Sequence, residues 1–122
     1  MNQKPFYITN AIPYVNGAPH IGHALEYVQS DAIARYKRLQ NKDVFYLVGT
    51  DENSLKNVQA AEGVSKPVKE FVDEQAQHFI DLRNSLNLSF NGFVRTTEAR
   101  HFSGAQKLWS ACNPDDIEKR TY

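Results

Sequence analysis

The sequence predicts an α/β domain built on a doubly wound parallel sheet. Two observations carry this. The elements alternate strand, loop, helix, strand, helix, as successive βα units require. The segment Val44-Phe45-Tyr46-Leu47-Val48 is a continuous apolar run with turn residues on both sides, the pattern of a parallel strand buried on both faces. The chain has 122 residues, somewhat fewer than one typical domain of roughly 150. Two parallel strands are too few for such a sheet, so the architecture reads as incomplete.

Taken in order, Phe6-Tyr7-Ile8-Thr9 is aromatic and β-branched and reads as the first strand. A loop over Asn10 to Pro19 follows, broken by Pro13, Asn16-Gly17 and Pro19. Ile21, Leu25, Val28, Ala32, Tyr36 and Leu39 recur in steps of three and four, which predicts a helix with that stripe as its apolar face. Arg35, Lys37 and Arg38 sit in its last turns, favourable at the negative end of the helix dipole. Tyr36 and these cations read as an exposed helix end, with nucleic-acid phosphate contact as the alternative. Asp31 and Arg35, four apart, read as a surface ion pair.

After the Val44–Val48 strand, a short helix is expected over Glu52 to Glu62, stopping at Gly63. A longer one starts near Ser65 and Pro67, with Val68, Val72, Ala76, Phe79 and Leu86 on its apolar face. Phe90 to Arg95 reads as a short strand interrupted by Asn91-Gly92. Thr97 is the expected N-cap of a last helix carrying Phe102, Ala105, Trp109 and Cys112. Phe102 and Trp109 read as core or a docking face, and Cys112 as a small buried hydrophobe.

Composition bounds the function. Hydrophobic residues make up 41% and charged residues 23%, ordinary for a globular chain. Fourteen Lys plus Arg balance fourteen Asp plus Glu, which excludes a generally basic nucleic-acid-binding protein but not a local basic patch, and no DNA partner is expected. The single cysteine, Cys112, excludes an intrachain disulfide and fits a reducing compartment. No apolar run approaches the ~20 residues of a membrane span. A soluble, cytoplasmic protein with no membrane partner is expected.

Two segments lie just beyond strand ends, where ligands sit in doubly wound sheets. One is Pro13-Tyr14-Val15-Asn16-Gly17-Ala18-Pro19-His20-Ile21-Gly22-His23. His20 and His23 share one face of the first helical turn. A helix N-terminus attracts phosphate, and two imidazoles there can donate hydrogen bonds as charge builds in a transition state. Gly22 lets a flat ring lie against the backbone. The competing reading is two polar residues in an exposed turn. His78, His101 and Cys112 supply no metal-spaced third ligand, so no metal site is expected in this segment. The second segment is Gly49-Thr50-Asp51-Glu52. Asp51 can bind an ammonium or a ribose hydroxyl, or cap the helix that follows.

The two segments together, Y-I-T-N-A-I-P-Y-V-N-G-A-P-H-I-G-H and then a hydrophobic strand ending G-T-D-E, closely resemble the methionyl-tRNA synthetases. These are class I aminoacyl-tRNA synthetases, and H-I-G-H is one of that class's two signatures. Asp43 to Val48 and Phe93-Val94-Arg95-Thr96-Thr97-Glu98-Ala99-Arg100-His101 are also like that family. The leucine, isoleucine and valine enzymes share a P-Y-x-N-G…H-x-G-H loop. They typically continue into a G-x-D-x-x-G-L-P type of segment, which is absent here.

The resemblance implies that residues 1–122 are the N-terminal part of one Rossmann-like catalytic domain, with the signature loop at 13–23. It implies ATP-dependent activation of methionine to methionyl-adenylate, then transfer to the initiator and elongator methionine tRNAs, with Mg2+ accompanying ATP. By matching position, His20 and His23 would contact ATP and stabilise charge at the α-phosphate. Gly22 would sit against the adenine. Ala11, Ile12 and Tyr14 would line the methionine pocket, and Asp51 would bind the substrate ammonium.

The K-M-S-K-S-like second signature is not in this sequence, nor are the family's cysteine-rich zinc knuckles or its anticodon-binding domain. Zinc would belong to those further segments, and the 122 residues alone are expected to be inactive. The family's usual G-T-D-E-H-G also reads Gly49-Thr50-Asp51-Glu52-Asn53-Ser54 here, so a positive-φ glycine conformation would be lost or strained, though Asn-Ser can still cap a helix. Two other readings remain: a different adenylyl transferase with an H-x-G-H loop, and a non-catalytic, synthetase-like module that binds a nucleotide or a partner.

Overall fold

A computed structural model describes residues 4–121. Three strands, β1 (Phe6–Thr9), β2 (Val44–Thr50) and β3 (Gly92–Arg95), form one sheet in the order β1-β2-β3. Both pairings are parallel, with Phe6 opposite Val44 and Leu47 opposite Gly92. The helices are α1 (Ile21–Leu39), α2 (Leu55–Gly63), α3 (Val68–Ser85) and α4 (Ala99–Ala111), followed by a 3₁₀ turn at Pro114–Asp116. This is the Rossmann-like α/β arrangement expected, with three strands present.

The core lies on one face of the sheet. Val44, Tyr46 and Val48 alternate along β2 and are all buried. They meet Tyr27 and Ala34 of α1, Ala61 of α2, and Phe71, Val72, Ala76 and Phe79 of α3. The Tyr46 hydroxyl donates to the Tyr27 carbonyl over 3.1 Å, fixing α1 on β2. Burial pushes both tyrosine hydroxyls well above their ordinary pKa.

The periodic stripe on α1 does not face this core. Ile21 is 85% exposed and Leu39 82%, and Leu25, Val28 and Tyr36 are also exposed. The buried residues of α1 are Tyr27, Asp31 and Ala34, roughly a third of a turn away. Helical period identifies an apolar stripe but not what covers it.

Asp31 is likewise more than a surface partner of Arg35. It is buried and accepts from the Ser89 backbone N–H and hydroxyl, each at 2.6 Å, and from Arg35 Nε at 2.5 Å. Burial raises its carboxyl pKa, but the hydrogen bonds from Arg35 and Ser89 outweigh this and hold it low. Arg38 adds bonds to the Ser89 carbonyl (3.1 Å) and to Asn91 Oδ1 (2.9 Å). Arg35 donates to the Asn87 carbonyl. Both arginines therefore clamp α1 to the segment entering β3.

Helix ends shift by a few residues from expectation. Helix α2 begins at Leu55 because the Ser54 hydroxyl accepts the Lys56 N–H at 3.2 Å. It runs through Gly63, and the left-handed turn after it falls on Ser65, with φ 54°. Helix α4 has Glu98 at its N-cap position, without a side-chain cap, since Thr97 is engaged elsewhere. All of α4 except His101 is exposed, and Cys112 is exposed at its end, not buried as expected.

Candidate active site

The site is built from the loops that leave β1 and β2. The Asp51 N–H donates to the Pro13 carbonyl over 2.8 Å, and Tyr14 and Asp51 form an isolated parallel bridge. The first loop is also tied to α1. Glu26 Oε1 accepts the Ala11 N–H (3.1 Å), and Asn10 Nδ2 donates to the Glu26 carbonyl (3.1 Å). Fully buried Val15 anchors the loop in the core.

His20 and His23 begin α1 with a reciprocal cap. His20 Nδ1 accepts the Gly22 N–H at 3.1 Å, and His23 Nδ1 accepts the His20 N–H at 3.2 Å. The imidazoles stack, with centroids 3.8 Å apart. With both Nδ1 atoms accepting, each neutral ring carries its hydrogen on Nε2, available to donate outward. Desolvation, then the neighbouring His20 charge, lowers the pKa of His23, which favours that neutral form. The His23 ring also meets the edge of Phe79 at 5.2 Å.

Gly22 is required by this geometry. A Cβ there would come within 2.9 Å of His20 Cε1.

Asp51 is half-buried and is not a helix cap, a role that falls to Ser54. Its carbonyl accepts from Asn57 Nδ2 (3.2 Å) and its Oδ1 from the Asn53 N–H (3.3 Å). The replacement of the usual His-Gly by Asn53-Ser54 brings no backbone strain: Ser54 has φ −128°. Asn53 Nδ2 donates to the Thr96 carbonyl (3.2 Å) and to its hydroxyl oxygen (3.3 Å). That hydroxyl oxygen also accepts the Glu52 N–H at 2.7 Å.

Beneath Asp51 lies a buried ion pair that inspection of the sequence did not identify. The Glu52 side chain is 0% exposed. It accepts from Arg95 Nε (2.7 Å) and Nη2 (3.0 Å), from the Thr50 hydroxyl (2.7 Å) and from Thr97. Arg95 also reaches Asp73 of α3 at 2.5 Å, and its own pKa is raised, first by the Glu52 hydrogen bond. The signal in the sequence is the R-T-T run, Arg95 to Thr97, that ends β3.

Pro13, Tyr14, His20 and His23 with Asn16 to Ala18 line an open hollow of about 380 Å³. Tyr14 joins this hollow to Asp51 through their bridge. Ala11 and Ile12 are exposed and outside its lining. A separate hollow of about 590 Å³ lies between Val68, Val72 and Asp73 and the Glu52–Arg95 pair.

The family model "tRNA synthetases class I (M)" matches residues 6–122. The chain belongs to this family. It is 48% identical over 120 residues to a methionine–tRNA ligase of Mycobacterium leprae, covering 98% of this chain and 22% of the relative. A methionine–tRNA ligase of Brucella suis is 41% identical, with the whole of this chain and 24% of the relative covered. Among solved structures, Mycobacterium tuberculosis methionyl-tRNA synthetase bound by methionyl-adenylate superposes with a TM-score of 0.86 at 47% identity, over 88% of this chain and 21% of that one. A LeuRS from Agrobacterium radiobacter K84, in a ternary complex with tRNA, has a TM-score of 0.82 at 23% identity, a likeness of fold alone. The chain therefore spans about a fifth of the length of the synthetases it matches.

Proposed function

We propose that these residues form the first half of an active site that joins methionine to the α-phosphate of ATP, giving methionyl-adenylate and pyrophosphate, for transfer to methionine tRNA. The observation that carries this is the 2.8 Å bond from the Asp51 N–H to the Pro13 carbonyl. It ties the strand end that carries a carboxylate suited to an ammonium to the loop that leads into two imidazole donors suited to phosphate. Asp51 takes the methionine ammonium. Tyr14, with Ala11 and Ile12, gives the thioether an apolar wall. His20 and His23 donate from Nε2 to the α-phosphate as it gains charge, and Gly22 keeps the approach open to the adenine.

No side chain acts as nucleophile, because the methionine carboxylate attacks phosphorus and pyrophosphate leaves. The chain supplies positioning and electrostatics. No three His, Cys, Asp or Glu come together among the described residues. Mg2+ would enter with ATP, carried by its phosphates. No described helix is long and apolar enough to cross a membrane, and a cytoplasmic location suits the reaction.

The test is amide chemical-shift mapping of the 122-residue chain with a non-hydrolysable methionyl-adenylate analogue. Shifts centred on Gly22, His23 and Asp51 are expected. Shifts confined to the Arg95 hollow, or none, would overturn the reading. ATP–pyrophosphate exchange by these residues alone is expected at background.

A further inference from the structure

Asp51 is held by its backbone on both sides of its Cα. Its N–H donates to the Pro13 carbonyl (2.8 Å). The peptide group that follows is gripped at both ends. Its carbonyl accepts from Asn57 Nδ2 (3.2 Å), and its N–H, that of Glu52, donates to Thr96 Oγ1 (2.7 Å). Each peptide group is planar, so bonds to both neighbouring planes fix φ and ψ of Asp51. Only the side-chain torsions are left to set the direction of the carboxylate. Among the described residues that carboxylate accepts from the Asn53 N–H alone, at 3.3 Å.

The two gripping side chains come from different parts of the fold. Asn57 belongs to α2, and Thr96 directly follows β3. Both are buried, with Asn57 0% and Thr96 5% exposed. Thr96 is itself anchored: its N–H donates to the Thr50 carbonyl (3.3 Å), and its hydroxyl oxygen also accepts from Asn53 Nδ2 (3.3 Å).

Asn57 is the more telling of the two. Its Oδ1 is buried without a hydrogen-bond partner among the described residues. Burying a half-satisfied amide costs stability. The bond its side chain makes is the one to the Asp51 carbonyl. A purely structural use would be to satisfy backbone groups where β2 ends. That use explains the Thr96 bond, but not why a fully buried position holds an amide with its oxygen unpaired.

We infer that Thr96 and Asn57 are positioning residues for the substrate ammonium. They fix the Asp51–Glu52 peptide, and through it the direction of the Asp51 carboxylate. The inference rests on the reading that Asp51 takes the methionine ammonium. A carboxylate whose backbone is fixed in advance loses less freedom when the ligand binds. With either grip removed, the ammonium contact weakens, while the phosphate end of the ligand still meets His20 and His23.

The test titrates two ligands calorimetrically into the 122-residue chain. One is methionyl-adenylate with a sulfamate in place of its phosphate. The other is the same molecule with hydrogen in place of the ammonium. Thr96→Val keeps the side-chain volume and removes the acceptor. Asn57→Ala removes the donor and places a strong helix former in α2. Circular dichroism checks both folds, and Asn57→Ala carries the test if Thr96→Val does not fold. Each variant should bind the ammonium-bearing ligand about tenfold more weakly. Each should bind the ligand without it within about twofold of the parent. Thr96→Ser, which keeps the hydroxyl, should bind both like the parent. In an Asp51→Ala background neither substitution should weaken binding further, since no carboxylate remains to aim. Equal losses on both ligands, or a further loss in the Asp51→Ala background, would make the two residues merely structural and overturn the inference. Parent-like binding by the variants, where Asp51→Ala itself binds the ammonium-bearing ligand poorly, would overturn the inference and leave the proposed function standing. Asp51→Ala that binds both ligands like the parent would overturn the ammonium assignment and this inference with it.

Discussion

The backbone N–H of Asp51 donates to the Pro13 carbonyl across 2.8 Å, so the loops leaving β1 and β2 are tied into one unit. The Asp51 carboxylate contributes little to that unit, accepting only the Asn53 N–H at 3.3 Å. Asp51→Ala should therefore leave stability nearly unchanged. It should weaken binding of the methionyl-adenylate analogue by roughly ten- to a hundredfold, the loss of one charge-assisted contact. Calorimetric titration of variant and parent measures this. A variant that binds equally well removes Asp51 from the site.

His23 gives the site a pH dependence whose sign is fixed. Its folded-state pKa lies below the ordinary value, first through desolvation and then through the His20 charge. Between the folded and unfolded pKa values the unfolded chain binds more protons, so stability rises with pH there. The contribution is complete above about 6.5 and is lost as pH falls through the folded value. Histidine ring NMR should place the His23 midpoint below 6.5, and urea midpoints should fall across the same window.

The Glu52–Arg95 pair should be costly to break and cheaper to remove whole. Arg95→Met leaves a fully buried carboxylate without its bidentate partner. Loss of one member of a buried pair costs about 3–5 kcal/mol, and the partial exposure of Arg95 points to the lower end. Glu52→Gln combined with Arg95→Met should recover part of that loss. Urea unfolding of the two single variants and the double variant closes the cycle.

The strands and the signature residues were legible because they are local. Val44–Val48 is a continuous apolar run, and His20, Gly22 and His23 fall within one helical turn. What stayed hidden depends on partners far along the chain. Glu52 meets Arg95 across 43 residues and Asp31 meets Ser89 across 58. The outward stripe on α1 was misassigned for a similar reason, since Ile21, Leu25 and Leu39 have the right period but no cover here. Thr97 looked like a cap and is instead a donor to Glu52.

Asp31 should carry more stability than a surface ion pair. Its oxygens accept from Ser89 and Arg35, and those bonds outweigh burial to hold its carboxyl low. Asp31→Asn keeps the shape but removes the charge and turns one acceptor into a donor facing donors. A loss of about 2 kcal/mol is expected. The native contribution is present above the ordinary carboxylate value near 3.9 and disappears as pH falls through the folded pKa. The variant should therefore show a shallower acid limb than the parent.

Gly22→Ala sets two effects of similar size against each other. Alanine favours the helix by up to about 1 kcal/mol over glycine. Its Cβ would fall 2.9 Å from His20 Cε1, so the ring must swing away. The cap from the Gly22 N–H to His20 Nδ1 then breaks, at a cost of about 1 kcal/mol, and the 3.8 Å stack with His23 is lost. Global stability should change by less than about 1 kcal/mol. Analogue binding should still fall, because the two Nε2 donors no longer point together. A Gly22→Ala chain that binds like the parent would show that His20 orientation does not matter. A chain with the same stability, weaker binding and a separated pair of histidine ring signals would show that the cap exists to aim the imidazoles.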